Sequence, residues 1–241
     1  MRPFWVDRRW RALPLAVLPA RCLLCGSDGD GRDLCVACAA DLRRNDVCCI
    51  RCALPLSYPA PLCGECLQHP PPFDAAFVPY IYADPLDFLT TRLKFGRDLA
   101  AGRVLADLWT QALDERTVAR PDLLVAIPLH ASRLRERGFN QALELARPLA
   151  QRLAIPMSAR ALRRTRATPA QTGLSADQRR RNLRGAFAVS ADESMPAHVA
   201  IVDDVMTTGT TLREAARVLK RAGAVRVDVW ALARAPLPGR R

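Results

Sequence analysis

Beyond residue 74 the chain alternates between two hydrophobic rhythms. Short, nearly continuous apolar runs, "AFVPYIY" (76–82), "DLLVAIPL" (122–129), "GAFAV" (185–189), "AHVAIVDDV" (197–205) and "AVRVDVWALAR" (224–234), read as strands, the longer ones buried on both faces. Between them lie "LAAGRVLADLWTQALDE" (99–115), "NQALELARPLAQRLA" (140–154) and "TLREAARVLKRAG" (211–223), where apolar residues recur at three and four positions as on one face of a helix. Regular alternation of strand and helix predicts an α/β domain with a mostly parallel sheet, because parallel neighbours need crossover helices. Ligands in such sheets bind beyond the carboxyl ends of the strands.

Two strand ends carry chemistry. At the first, Asp203 and Asp204 close an apolar run and are followed by Met206, Thr207, Thr208, Gly209, Thr210 and Thr211 where strand gives way to helix. Backbone N–H groups, hydroxyls and the positive end of a helix dipole converge there, which suits a phosphate. The loop is neither a Walker loop, which needs GK[ST], nor a dinucleotide fingerprint, which needs GxGxxG. Two carboxylates would repel a phosphate unless they face hydroxyl donors or a divalent cation, so the pattern points to a sugar phosphate, with its diol on the acids. The second strand end, "AIPLHASRLRERGFNQA" (126–142), is a basic loop in which Arg133 and Arg137 supply charge and Gly138 lets the backbone turn.

The front of the chain follows a different logic. All nine cysteines lie between Cys22 and Cys66, and eight form CxxC pairs: Cys22/Cys25, Cys35/Cys38, Cys49/Cys52 and Cys63/Cys66. Two residues between cysteines let both thiolates reach one tetrahedral ion, and a second pair completes a structural zinc site. Pairing in sequence order gives two ribbons and a crossed pairing gives other sets, so one or two zinc ions are expected. Cys48 is left over, and His69 is a possible substitute ligand. The string "HPPPFD" (69–74) interrupts regular structure and reads as a boundary. The expected organisation is an amphipathic segment over 1–21, a cysteine module over 22–68 and the α/β domain over 74–241.

Charge adds a partner class. The formal net charge is +12, carried almost wholly by arginine, and most of it falls beyond residue 72. Arginine's planar fork suits phosphate, so nucleotides or nucleic acid are plausible partners. The segment 160–184, "RALRRTRATPAQTGLSADQRRRNLR", has eight arginines and one acid and suits either a loop closing over a reacting sugar or a surface for single-stranded DNA. Aromatic partners for base stacking are scarce, Phe187 being the nearest. The apolar stretch 13–20 is short and broken by proline, so no membrane insertion is expected and the protein is placed in the cytoplasm.

The run "IVDDVMTTGTT" (201–211) resembles the PRPP (phosphoribosyl diphosphate) motif of type I phosphoribosyltransferases. Cysteine knuckles, "LKFG" (93–96), "RGFNQA" and "VDDVMTTGTT" together resemble the competence protein F (ComF) family, associated with DNA uptake in natural transformation. The resemblance implies the type I phosphoribosyltransferase fold behind a double zinc ribbon. It further implies PRPP bound with magnesium, its ribose hydroxyls on Asp203 and Asp204 and its 5-phosphate on Met206 to Thr211. Lys94, Arg133, Arg137 and Gly138 would lie near the diphosphate, and displacement of that diphosphate from ribose would make the protein a pentosyl transferase. DNA-uptake proteins and imported single-stranded DNA are the implied partners. A nucleic-acid-binding scaffold with a non-catalytic PRPP-sensing site and a nucleotide-salvage enzyme remain as alternative readings.

Overall fold

A computed structural model describes residues 20–29, 31–166, 185–190 and 193–236. The expected amphipathic segment over 1–21 lies almost wholly outside these residues, as does 167–184 of the arginine-rich run. The chain divides into two compact units, Met1–Leu42 and Arg43–Arg241. The division therefore falls inside the cysteine-rich stretch rather than at the proline string.

The first unit is built on tight turns. Cys22 N–H donates to the Ser27 carbonyl at 2.8 Å and Gly26 N–H returns to the Cys22 carbonyl at 2.9 Å, with Gly26 at φ +76°. Helix α1 (Val36–Ala40) starts from Cys35, whose sulfur accepts from Cys38 N–H at 3.4 Å.

The second unit opens with the remaining cysteine pairs and α2 (Gly64–Gln68). There follow β1 (Ala75–Phe77), β2 (Tyr80–Ile81), α3 (Leu86–Gly96), α4 (Leu99–Asp114), β3 (Leu123–Ala126), α5 (Ala131–Arg137) and α6 (Gln141–Leu153). The chain continues through β4 (Met157–Ser158), β5 (Leu162–Arg164), β6 (Phe187–Val189), β7 (His198–Met206), α7 (Thr210–Arg221) and β8 (Arg226–Arg234). Six strands form one parallel sheet in the order β1–β8–β7–β3–β4, with β2 continuing the pairing of β1 along β8. β5 and β6 form a separate antiparallel pair. The single strand expected over 76–82 is split between β1 and β2, because Pro79 has no N–H to give the ladder.

β7 and β8 are the long central strands, and their apolar runs are buried on both faces as parallel strands require. Val199 and Ile201 of β7 and Val227, Val229 and Ala231 of β8 share one core with Leu212, Ala215, Ala216 and Leu219 of α7, and with Cys49, Cys52, Cys63 and Cys66. Because strand side chains alternate, Ala200, Val202 and Asp204 face the other side, where α6 packs on β7. The second cysteine set is thus part of the sheet's own core. At the far edge the Trp230 ring meets Phe77 edge-on, centroids 6.2 Å apart. Among the described residues no helix is long and apolar enough to cross a membrane.

Candidate functional site

The carboxyl end of β7 leads straight into α7 through Thr207, Thr208 and Gly209. Gly209 sits at the N-cap in the left-handed region, φ +71°, and offers no side chain to cap the helix. The first-turn N–H groups are among those a helix cannot satisfy internally, so they suit an anion. The Thr208 and Thr210 hydroxyls lie 2.8 Å apart beside them. Asp203, Met206, Thr207, Thr208, Gly209, Thr210 and Thr211 line one pocket. The sequence-predicted phosphate loop and one of the two acids are therefore brought together.

The second acid faces elsewhere. Asp204 is 4% exposed and points to the α6 side, where Lys94 of α3 forms an ion pair with its Oδ2 and the Gln141 amide approaches its Oδ1 at 3.5 Å. The two neighbouring carboxyls consequently titrate in opposite directions. Burial first, and then the Asp204 charge, hold Asp203 well above the usual carboxylate range. Burial also acts upward on Asp204, but Lys94 outweighs it and keeps this group below its usual value. Lys94 is itself raised, its burial outweighed by Asp204. Lys94 thus touches an acid of the motif directly.

The basic loop after β3 contains a short helix, α5, rather than irregular chain alone. It ends at Gly138, φ +83°, whose N–H donates to the Leu134 carbonyl at 2.8 Å. Asn140 then caps α6 through Ala142 N–H at 3.0 Å while its amide donates to the Ile127 carbonyl at 2.9 Å, fixing the loop to the end of β3. Arg137 donates to Gln141 Oε1 at 2.6 Å and covers the Phe95 ring at 5.6 Å. A chain of contacts, Arg137 to Gln141 to Asp204 to Lys94, joins the two strand ends. Gln141 was not singled out in the sequence, although its place beside Asn140 in "RGFNQA" marks it.

Arg164, at the end of β5, is a further site cation that composition alone did not distinguish. Burial and the like charge of Arg133 lower its pKa, and Asp203 acts on it in the opposite sense. Phe187 is buried beneath the Arg164 guanidinium, 5.6 Å from the ring centroid, so it is not free to stack on a base. Most of the arginine-rich segment, including Gln171 and Asn182, lies outside the described residues.

The cysteines gather in sequence order. The sulfurs of Cys22, Cys25, Cys35 and Cys38 lie within 4.8 Å of one another, and so do those of Cys49, Cys52, Cys63 and Cys66. Sulfurs bound to one tetrahedral zinc at about 2.3 Å would stand about 3.8 Å apart. The Cys25–Cys35 and Cys52–Cys63 separations are 3.7 and 3.6 Å, so both sets fit that ion. In the first set burial acts upward on Cys22, but N–H groups of Cys35, Cys25 and Leu24 outweigh it and bring its pKa to about 6, favouring the thiolate a metal needs. Cys48 pairs by its backbone with Pro55, and exposed His69 belongs to neither set.

Comparison with known proteins agrees with both parts. A family model described as a double zinc ribbon domain matches residues 15–67, and one described as a phosphoribosyl transferase domain matches residues 140–238. Competence protein F of Haemophilus influenzae is 38% identical over 208 residues, covering 84% of this chain and 90% of that protein. The chain belongs to the ComF family. The family member named DNA utilization protein YhgH in Salmonella typhimurium is 40% identical over 208 residues, 83% of this chain and 90% of its own. The ComF architecture here combines the phosphoribosyltransferase fold with two structural zinc sites.

Proposed function

We propose that this ComF protein binds PRPP with magnesium in the cleft between the ends of β7 and β3 and acts in the uptake and handling of imported single-stranded DNA. The observation that carries the reading is the shared pocket of Asp203 and the Met206–Thr211 loop. A phosphate fits the uncapped start of α7, and a pentose diol fits the carboxylate edge next to it. Magnesium, bound by carboxylate and diphosphate oxygens, would neutralise the leaving group.

The cations answer to the remaining part of such a ligand. Lys94, Arg133, Arg137 and Arg164 lie around the acids, and a diphosphate departing from ribose C1 takes the electron pair of the broken C–O bond into their field. The sugar left behind is oxocarbenium-like, and an acceptor nucleophile forms the new bond at C1. No covalent enzyme intermediate is needed, so catalysis is positional and electrostatic. The relatives' names, competence and DNA utilization, supply the cellular setting. They favour DNA handling over nucleotide salvage, and a cytoplasmic location follows from that role.

Titration calorimetry with PRPP and magnesium tests the site. The wild-type protein is expected to saturate, and the paired change Asp203→Ala with Asp204→Ala to lose at least about tenfold in affinity. Equal affinity in the two would remove the proposal. The DNA role predicts single-strand binding that weakens steeply between 50 and 200 mM salt, as phosphate neutralisation requires.

A further inference from the structure

The second cysteine set lies in the same core as the strands that lead to the phosphate loop, and one side chain bridges the two. Arg234, the last residue of β8, is 5% exposed. Its Nε donates to the Cys52 carbonyl at 3.1 Å, and its Nη1 to the carbonyls of Met206 at 3.0 Å, Ala235 at 2.8 Å and Thr207. Every one of these acceptors is a backbone carbonyl. Nothing in this set carries a formal negative charge, yet a guanidinium keeps its own.

Cys52, whose carbonyl accepts from Arg234 Nε, is one of the four residues of the second cysteine set. Cysteine sulfurs supply an opposing charge only when a metal holds them as thiolates. Four thiolates around one dication carry a net double negative charge, so a loaded cluster balances the buried arginine, while a set of neutral thiols would not.

The peptide geometry explains what the bridge accomplishes. Met206–Thr207 and Thr207–Thr208 are trans peptides, so each carbonyl points opposite to the N–H of the following residue. Drawing the Met206 and Thr207 carbonyls onto Arg234 turns the N–H groups of Thr207 and Thr208 away from it. Both residues line the pocket with Asp203.

We infer that Arg234 is a positioning residue that couples the Cys49/Cys52/Cys63/Cys66 metal site to the phosphate loop, so that loss of metal there loosens the loop. Its consequence for ligand affinity rests on the PRPP reading, but the coupling does not. A metal site that supports the loop must by reciprocity be held more tightly when the loop is ordered.

Hydrogen exchange read by mass spectrometry tests this without any ligand. In Arg234→Met carrying the same zinc content as wild type, amides of residues 207–211 should exchange at least about tenfold faster while His198–Val202 stay protected. Arg234→Lys, which keeps the charge but not the fork, should fall between. The second site of Arg234→Met should also yield its zinc to a chelator faster than wild type. Wild-type protection of the loop in Arg234→Met, or equal exchange in the Met and Lys variants, would overturn the inference. If Arg234→Met does not fold, stepwise chelation of the wild-type protein decides. Loop exchange must then rise in step with alkylation of Cys49, Cys52, Cys63 and Cys66, and a loop still protected after those four are alkylated would overturn it. A protein with normal coupling that binds no PRPP would instead count against the proposed function alone.

Discussion

Lys94 of α3 forms an ion pair with the buried carboxylate of Asp204, while Asp203, next in the chain, lines the pocket of the phosphate loop on the other side of the sheet. One acid is therefore neutralised by the protein, and the other is left for a ligand. The pair of acids that looks redundant in the sequence divides its labour through the two-residue period of a strand.

Removing Lys94 should expose that division. Asp204 is held below its ordinary 3.8, so the pair contributes stability above that value and loses it as pH falls through the depressed one. Lys94→Met leaves a buried, unbalanced carboxylate and should cost about 3–5 kcal/mol at neutral pH. The Asp204 contribution should reverse its slope, stability now falling as pH rises above 3.8. Adding Asp204→Asn should recover most of the loss, and a urea-denaturation cycle at several pH values measures it.

Asp203→Asn should behave in the opposite way. The folded state holds the Asp203 proton more tightly than the unfolded chain does, so stability declines as pH rises from 3.8 through the raised value. The amide removes this decline and can still accept from Asp204 N–H, which donates to Asp203 Oδ1 at 2.9 Å. The variant should melt higher than wild type at pH 7 and bind PRPP at least about tenfold more weakly. Thermal melts across pH 4–8, paired with calorimetry, check both halves.

The strand–loop–helix unit from His198 to Arg221 was legible because each part has a local cause: an apolar run, the Thr and Gly turn, then an amphipathic repeat. Helix α3 was visible in the sequence only as the "LKFG" stretch. Its N-cap is Pro85 with no side-chain cap, and its C-cap is Arg97 at φ +53°, so the usual start and stop residues are missing. β4 and β5 are too short to leave a periodic signal. The bond from Arg234 to Cys52 joins distant parts of the chain, and nothing local at either residue announces it. The cysteine pairs were readable as ligands from spacing, but their place in the sheet's core was not.

Gly209 tests the loop's backbone. A Cβ there would stand 2.8 Å from Met206 Cε, the end of a flexible side chain that can move, but the φ of +71° would remain. Gly209→Ala should therefore cost about 1–2 kcal/mol from left-handed strain. The same change should weaken PRPP binding by more than the stability loss alone explains. Chemical denaturation and ligand titration on one preparation separate the two effects.

Asp98 tests the α3–α4 junction that carries Lys94. Its carboxylate accepts from Ala100 N–H at 2.9 Å and Ala101 N–H at 3.1 Å and pairs with Arg92 at 2.6 Å. Burial acts upward on it, but these partners hold it below 3.8, so its contribution is present above that pH and fades as acid protonates it. Asp98→Ala should cost about 1 kcal/mol at pH 7. The difference from wild type should shrink as pH falls below 3.8, which acid-range urea melts would show.

A sugar phosphate bound by this protein must sit at the start of α7, beside Asp203. A crystal structure of the protein grown with PRPP and magnesium should show the 5-phosphate on the amides of Thr207 to Thr211 and the ribose diol against Asp203, with Asp204 still paired to Lys94. A cleft that stays empty at saturating ligand, or a ligand phosphate bound away from the start of α7, would contradict it.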